Sequence, residues 1–246
     1  MLTDATIREY EERGFNAWPA LHNVICGGWL LRFAQGHTRR ANSVNALSAS
    51  VALDGIVDFA ETLYRQHEVP LVFRVTPLVP RAFDQELEQQ GFRLTDPTQV
   101  LVRDLDAPLA SDPAVSLSDH ATADWLRGVD DAGGLSESAR QVHRAMLAAQ
   151  QVPAAFATLS EDGVPLAYGM AAYERGAVGL FEIQTLPHAR RRGASRRLCG
   201  ALLAWGQQRG ARAAYLQVSA NNHAALALYA SLGFSLAYRY HYRART

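Results

Sequence analysis

The feature that most constrains this chain is residues 182–194, Glu-Ile-Gln-Thr-Leu-Pro-His-Ala-Arg-Arg-Arg-Gly-Ala. An apolar run with strand character meets Pro187, three arginines and Gly193 follow, and Ser195 opens a long helical pattern. Strand, loop and helix start therefore follow one another directly, so the chain must be a mixed α/β structure. A helix start has free N–H groups and the positive end of the macrodipole, which favour phosphate. Gly193 removes a side chain where backbone would approach a ligand, and the arginines add forked donors. The stretch points to a phosphorylated ligand; the competing reading is a solvated basic turn.

Composition narrows the choice. The chain has 246 residues, 48% of them apolar, enough for one large domain or two modest ones. Its 24 basic and 24 acidic residues cancel. A chain without net positive charge is a poor general binder of nucleic acid or of membrane surfaces. The arginines between Arg190 and Arg197 are then a focused site. Cys26 and Cys199 make neither a disulfide framework nor a zinc site, and no metal is expected. Residues 1–14 read as a charged helix without a signal-peptide core, and no apolar run approaches the roughly 18 residues of a membrane span. The expectation is a cytoplasmic protein.

Strand patterns fall at residues 29–34, 43–47, 71–75 and 99–103, then at 154–159, 165–173, 177–185, 214–218 and 234–242. Glu161-Asp162-Gly163 and Glu174-Arg175-Gly176 are short turns that make the middle three antiparallel neighbours. Helical spacing marks residues 54–67, 80–90, 119–129, 136–150 and 195–209. A further helix follows Asn222, with Ala225, Leu228, Tyr229 and Leu232 as its apolar stripe. Asp54 and Asn222 are the expected N-caps of their helices. Residues 106–119, with Pro108 and Pro113, read as a linker.

The halves on either side of that linker, 1–106 and 107–246, echo each other. Residues 71–92 and 214–234 both read strand, turn, helix, Gly-Phe, with a strand to follow. Aligning Gly91-Phe92 with Gly233-Phe234 sets Leu87 where the second half has Tyr229. Residues 48–53, ahead of the first-half helix, hold neither arginine nor glycine, which places the chemistry in the second half.

The second half resembles the GNAT superfamily of acyl-CoA-dependent N-acetyltransferases. Arg190-Arg-Arg-Gly193-Ala-Ser195 is similar to the family's Gln/Arg-x-x-Gly-x-Gly/Ala loop, with Thr185-Leu-Pro187 where the family often has Val-x-Pro. Asn222-x-x-Ala225-x-x-Leu228-Tyr229-x-x-x-Gly233-Phe234 is similar to the family's ending, and the order of elements agrees. Ser195 departs from the usual Gly or Ala; it is small and can cap the helix. The first half looks like a degenerate copy, so the implied fold is an α/β mixed sheet of two tandem GNAT-like modules.

The resemblance implies an acetyl-CoA-dependent N-acetyltransferase acting on a primary amine of a small molecule, protein or peptide. Backbone N–H groups of Arg191, Arg192, Gly193, Ala194 and Ser195 would hold the pyrophosphate of acetyl-CoA. The side chains of Arg190, Arg191 and Arg192, with Arg196 as a further candidate, would meet phosphates. The strand edge at Gln184, Thr185 and Leu186 would pair with pantetheine, and Asn222 would contact that arm or cap its helix. Tyr229 would protonate the leaving thiolate.

An alkyl ammonium has a pKa of about 10.4, so the acceptor needs a base or a water route. Glu182, on the strand before the loop, is the candidate, directly or through water; its other reading is a strand-end carboxylate paired with an arginine. His188 and His223 read as solvated turn residues. A non-catalytic acyl-CoA-binding module and a nucleic-acid binder stand as alternatives. The acceptor itself, and the choice between monomer and homodimer, stay open.

Overall fold

The computed structural model describes residues 2–245. Helix α1 (Asp4–Ala17) starts at Thr3, whose hydroxyl accepts from the Thr6 N–H. Strands β1 (His22–Cys26), β2 (Trp29–Phe33) and β3 (Val44–Ala46) follow, then helix α2 (Ile56–Gln66), β4 (Val72–Val75), α3 (Arg81–Gln89) and the long β5 (Arg93–Asp104). Beyond the connection come β6 (Val115–Ser118) and helices α4 (Ala123–Gly133) and α5 (Glu137–Ala148). Thr122 and Ser136 cap these two helices through their hydroxyls. Strands β7 (Ala154–Glu161), β8 (Val164–Glu174) and β9 (Ala177–Thr185) form the antiparallel meander that the two Gly turns require. Helix α6 (Ala194–Gln208), β10 (Ala213–Ser219), α7 (His223–Ser231) and β11 (Ser235–Ala244) complete the chain. No helix among the described residues is long and apolar enough to cross a membrane.

All the strands join one sheet in the order β1-β2-β3-β4-β11-β5-β10-β9-β8-β7-β6. The order is nearly symmetric about its centre. A parallel pair, β3 with β4, lies on one side, and another, β9 with β10, on the other. The two central strands are exchanged between the halves. Strand β5 closes the first half of the chain yet pairs with β10, and β11 closes the second half yet pairs with β4. They pair with each other antiparallel, so no backbone edge is left open in the middle of the sheet.

Helix α1 fastens the two halves together. Glu11 is buried against Arg74 on β4, and its Oε1 accepts from the Tyr238 hydroxyl on β11 at 2.5 Å. The Arg74 guanidinium lies 3.8 Å from the centroid of the Tyr240 ring. A buried ion pair is tolerated when its remaining donors and acceptors find partners; Glu11 finds them, while the Nε of Arg74 faces no acceptor. Two residues further on, Arg13 donates to the carbonyls of Glu174 and Arg175 in the second half, at 3.3 and 3.1 Å.

Four local expectations need correction. Asp54 does not cap α2: Gly55 holds the cap position with φ +69°, and no side chain bonds there. Ser195 does not cap α6, because the cap is Gly193 at φ +80° and the helix begins at Ala194. The proposed linker contains edge strand β6, paired with β7. Strand β5 is longer than residues 99–103, since it pairs with β11 from its very start. Strand β1, a short and largely exposed edge strand, carried no strong pattern and was not anticipated.

Candidate active site

The site is built where β9 and β10 separate. Their parallel pairing runs from Ala177↔Ala213 to Leu180↔Leu216 and stops. Strand β10 continues alongside β5 as far as Ser219↔Thr98, and β9 continues alongside β8 as far as Thr185↔Ala167. The facing edges therefore diverge, and the backbone of β9 beyond Leu180 is left without a strand partner on that side.

A bulge sits at the divergence. Glu182 and Ile183 together stand opposite Gly169, and Glu182 has φ +51°. A non-glycine residue in the left-handed region costs about 1–3 kcal/mol and is held there only by its surroundings. The bulge re-aims the side chains on either side of it. Ile183 and Thr185 turn toward α6, where they line a cavity. Glu182 and Gln184 lie beside each other, with Gln184 Nε2 donating to Glu182 Oε2 at 3.3 Å, and Gln184 approaches Gly133 of α4. The strand thus presents Thr185 to one face of the sheet and Gln184 to the other.

The cavity on the α6 side has a volume of about 570 Å³. The Arg-Gly loop walls it on one side, and Asn222, Ala224, Ala225, Leu228 and Tyr229 of the α7 region on the other. Among the described residues no carboxylate lines it. The first helical N–H of α6 to find a backbone acceptor is that of Arg197, which bonds to the Gly193 carbonyl at 3.1 Å. The N–H groups ahead of it are left at the helix start, beside the cavity. The Thr185 and Ser195 hydroxyls are hydrogen-bonded, so the small polar residue at 195 ties the strand end to the helix start.

The arginines divide by task. Arg190, Arg191 and Arg192 are exposed, and their side chains take no protein partner among the described residues. Arg196 lines the cavity but also reaches across it to α7, donating to the Ser231 hydroxyl at 2.6 Å. Arg197 points away and pairs with Asp112 at 2.6 Å and with Glu161. That pairing holds the Asp112 carboxyl below the usual carboxylate range.

Asn222 caps α7, its Oδ1 accepting from the Ala225 N–H at 3.1 Å. Tyr229 is 7% exposed, its ring edge-on to Phe234 with centroids 5.9 Å apart. Burial pushes its phenol well above the ordinary tyrosine value, with Cys199 adding to the effect, so the hydroxyl stays protonated. Cys199 is itself pushed up to about 12 by burial and is inert as a thiolate.

The cavity thus brings together Thr185, Arg190, Arg191, Gly193, Ala194, Ser195, Asn222 and Tyr229. Gln184 lies on the opposite side of the strand, Leu186 packs into the core with its N–H bonded to the Leu166 carbonyl, and Arg192 lies just outside the lining. Glu182 stands at the bulge, near the cavity but not in its wall. His188 and His223 are exposed and outside it. Unanticipated lining residues are Ile183, Ala189 and Ala224. Their only signal was small or apolar character at positions adjoining the motifs.

The chain matches the family described as "Probable histone acetyltransferase Rv0428c C-terminal" over residues 4–243. It belongs to that family. Through it the chain is a GNAT superfamily N-acetyltransferase, an acyltransferase enzyme. "Probable histone acetyltransferase Rv0428c" of Mycobacterium tuberculosis is 31% identical over 255 residues, spanning 96% of this chain and 74% of that protein. "Uncharacterized N-acetyltransferase YobR" of Bacillus subtilis is 26% identical over 242 residues, spanning 96% of this chain and 98% of the other. Among solved structures, a GCN5-related N-acetyltransferase from Kribbella flavida shares the fold, with a TM-score of 0.71 at 16% identity over 100% of this chain and 96% of its own. A tandem GNAT protein from the clavulanic acid biosynthesis pathway aligns with a TM-score of 0.60 at 15% identity, covering 95% of this chain and 86% of that one.

Proposed function

We propose that the chain transfers an acetyl group from acetyl-CoA to a primary amine of a small molecule, protein or peptide, and that the second half carries the chemistry. The observation that carries this reading is the cavity at the diverging strands: free N–H groups, unpaired arginines, no carboxylate and a protonated tyrosine. These residues suit a pyrophosphate ester of an acyl thiol. When bound, acetyl-CoA supplies an acyl group activated as a thioester.

The residues then have these parts. The N–H groups of Arg191, Arg192, Gly193, Ala194 and Ser195 hold phosphate oxygens, with charge from Arg190, Arg191 and Arg192. The open edge of β9 at Gln184 and Thr185 offers backbone groups to the amides of the pantetheine arm, while Leu186, expected to share this part, has its N–H on the Leu166 carbonyl and its carbonyl on the Ala189 N–H and does not; Asn222 fixes the helix on the far side. Glu182 accepts the proton of the acceptor ammonium, directly or through a water. Tyr229 Oη holds a proton and gives it to the departing sulfur. Because Gln184 and Glu182 lie away from the α6 side, the acceptor enters from the opposite face of the sheet and meets the donor through the gap.

We read the chain as two GNAT-like modules, residues 1–106 and 107–246, with exchanged terminal strands. The nearly symmetric strand order supports this, as does the recurrence of a left-handed glycine at the start of α2 and of α6. The test of function is acetyl-CoA turnover across amines, amino acids and peptides, including a histone peptide because one relative is named for that acceptor. An N-acetylated product, identified by mass and formed with stoichiometric CoA, is expected. Tight CoA binding without product from any acceptor class would overturn the proposal.

A further inference from the structure

One arginine on the acceptor face lacks the partners that its neighbours have. Arg74 is paired with Glu11. Arg32 donates to the carbonyls of Arg40, Phe15 and Trp18, at 2.9, 3.1 and 2.6 Å. Arg39 is paired with Asp96 at 2.6 Å. Arg40, on the short turn between β2 and β3, has no carboxylate and makes no side-chain hydrogen bond among the described residues; its Nε, like those of Arg32 and Arg74, is buried without an acceptor, and what sets it apart is that its terminal nitrogens have no protein partner either. Its two terminal nitrogens are not sealed in with the Nε.

Its position is informative. The Arg40 guanidinium lies 5.9 Å from the centroid of the Phe181 ring. Phe181 immediately follows the last β9–β10 pair and immediately precedes Glu182. Phe181 belongs to the core on the α1 and α4 side, the face opposite the cavity beside α6. Gln217, on β10 past the same divergence, accepts from the Tyr240 hydroxyl at 2.9 Å on this side. The groups recorded beside Arg40, namely Phe181 and the buried Tyr215, Tyr240 and Tyr242, include no carboxylate. Burial, with the charge of Arg40 beside it, holds the Arg32 guanidinium down to about 9. A half-buried, forked cation with idle donors at the acceptor end of the gap is poised for an anion.

We infer that Arg40 recognises a carboxylate of the acceptor, so that the acetylated amine is a small amine bearing a carboxylate, of amino-acid type. This rests on the acetyl-transfer reading above. It also gives the first half of the chain a share in substrate choice, since Arg40 comes from that half. A lysine side chain within a basic peptide lacks such an anion near the reacting nitrogen and is disfavoured.

The test measures initial rates with acetyl-CoA on the twenty standard α-amino acids and on their carboxamides. Binding of the same compounds to the CoA-saturated protein is followed by calorimetry. At least one amino acid should be preferred over its own carboxamide by about 10- to 100-fold in kcat/KM, the range of one charge-assisted contact. Arg40→Gln should remove that preference through KM while leaving carboxamide rates within about threefold. Arg40→Lys keeps the charge without the fork and should fall between; if the Gln variant does not fold, the Lys variant carries the comparison. Equal use of amino acids and carboxamides, or an Arg40→Gln variant that slows both classes alike, overturns the inference. If carboxamides or peptides are acetylated while amino acids neither react nor bind, the inference fails and acetyl transfer stands. If amino acids bind in an Arg40-dependent way but no amine is acetylated, the anion site stands and acetyl transfer fails. If nothing reacts or binds, both fall.

Discussion

The clefts beside α2 and α6 each open at a left-handed glycine and carry opposite charge. Gly55 caps α2 at φ +69° and Gly193 caps α6 at φ +80°. Counting outward from these glycines, Asp54 matches Arg192 and Asp58 matches Arg196. The first-half cleft, about 370 Å³, is lined by Asp54, Asp58 and Glu86 and by no basic residue. The helices that follow also match, position for position. Leu87 and Tyr229 each accept, through the backbone carbonyl, the N–H of the phenylalanine in the Gly-Phe pair, at 2.9 and 3.0 Å. In that register Phe83 stands where Ala225 lines the second-half cavity. Phe83 is 1% exposed, packed on Trp29 with ring centroids 5.3 Å apart. The Trp29 indole donates to the Ala52 carbonyl at 2.7 Å and holds the first-half loop inward. Matching positions are thus filled or acidic in the first half, and open or basic in the second. On the proposed function, a phosphate-rich ligand is expected in the second-half cleft alone.

The comparison breaks most directly at its two glycines. Both Cβ positions are open, so neither Gly193→Val nor Gly55→Val creates a clash within the protein. Both substitutions strain the backbone, because a β-branched residue resists positive φ. Only the first puts a side chain where phosphate must approach the N–H groups. Gly193→Val should weaken CoA binding by about 10²-fold or more, the loss of two or so charge-assisted contacts. Gly55→Val should lower Tm by a similar amount and leave CoA affinity unchanged. Calorimetry should give one CoA per chain. Two equal sites, or equal losses from the two variants, would refute the asymmetry. Ala225→Phe copies the Phe83 filling into the cavity and should also abolish tight binding.

Tyr229 and Leu87 sharpen the contrast within the helices. General acid catalysis contributes about 10²–10⁴-fold, and a thiolate is a tolerable leaving group, so Tyr229→Phe should lower kcat by about 10²-fold. CoA affinity and Tm should barely move, since the ring is kept. Burial keeps the phenol protonated, so Tyr229 should add no loss of activity across the neutral pH range. Leu87 is fully buried, and Leu87→Ala should cost about 2–5 kcal/mol of stability with no effect on kcat once the protein is folded. Full activity of Tyr229→Phe under conditions where chemistry limits the rate would reduce Tyr229 to a packed aromatic.

These matches mark what could be read from the chain alone. The loop at Arg190–Gly193 and the cap at Asn222 were legible, because local chemistry dictates them: free N–H groups need anions, and a helix start needs an acceptor. Tyr229 was legible as a stripe position. Asp54 was misread because an aspartate before a helix is a common cap, whereas the left-handed Gly55 already fixes the entry. The same oversight hid the matching glycine, since the first-half loop was taken to end at Leu53. The exchange of β5 and β11 was not legible at all. Both follow a Gly-Phe pair and alternate alike, so nothing local distinguishes which half each will join. That choice belongs to long-range packing, through Glu11, Arg74 and Tyr238. Strand β6 was hidden for a different reason: as a half-exposed edge of serines and apolar residues beside Pro113, it looks like a linker.

The smallest expected effect separates two ion pairs that fasten helices in the two halves. Asp84 on α3 holds Arg243 and His241 of β11, and Asp112 in the connection holds Arg197 of α6. Both carboxyls lie below the usual range. For Asp84, burial pushes upward and the hydrogen bonds from Arg243 and His241 outweigh it; for Asp112, the bond from Arg197 dominates. A carboxyl lowered by folding stabilises the fold above its unfolded value, about 3.9, and that support is lost as pH falls through the lower folded value. Both pairs therefore hold at neutral pH and weaken in acid. They differ in burial: the Arg243 side chain is 6% exposed and that of Arg197 35%. Solvent screens the second pair, as it does most surface pairs, so Asp112→Asn should cost about 0.5 kcal/mol or less. Asp84→Asn leaves a buried guanidinium with Glu88 and the Phe92 carbonyl as its remaining partners and should cost about 1–2 kcal/mol. Urea denaturation at pH 7 and at increasingly acid pH measures both, and the gap between the variants should narrow as pH falls below the ordinary carboxylate value and the support from ionised Asp84 is lost. An equal cost for the two variants at pH 7 would mean that the exchanged strand β11 is fastened to α3 no more firmly than α6 is to the connection.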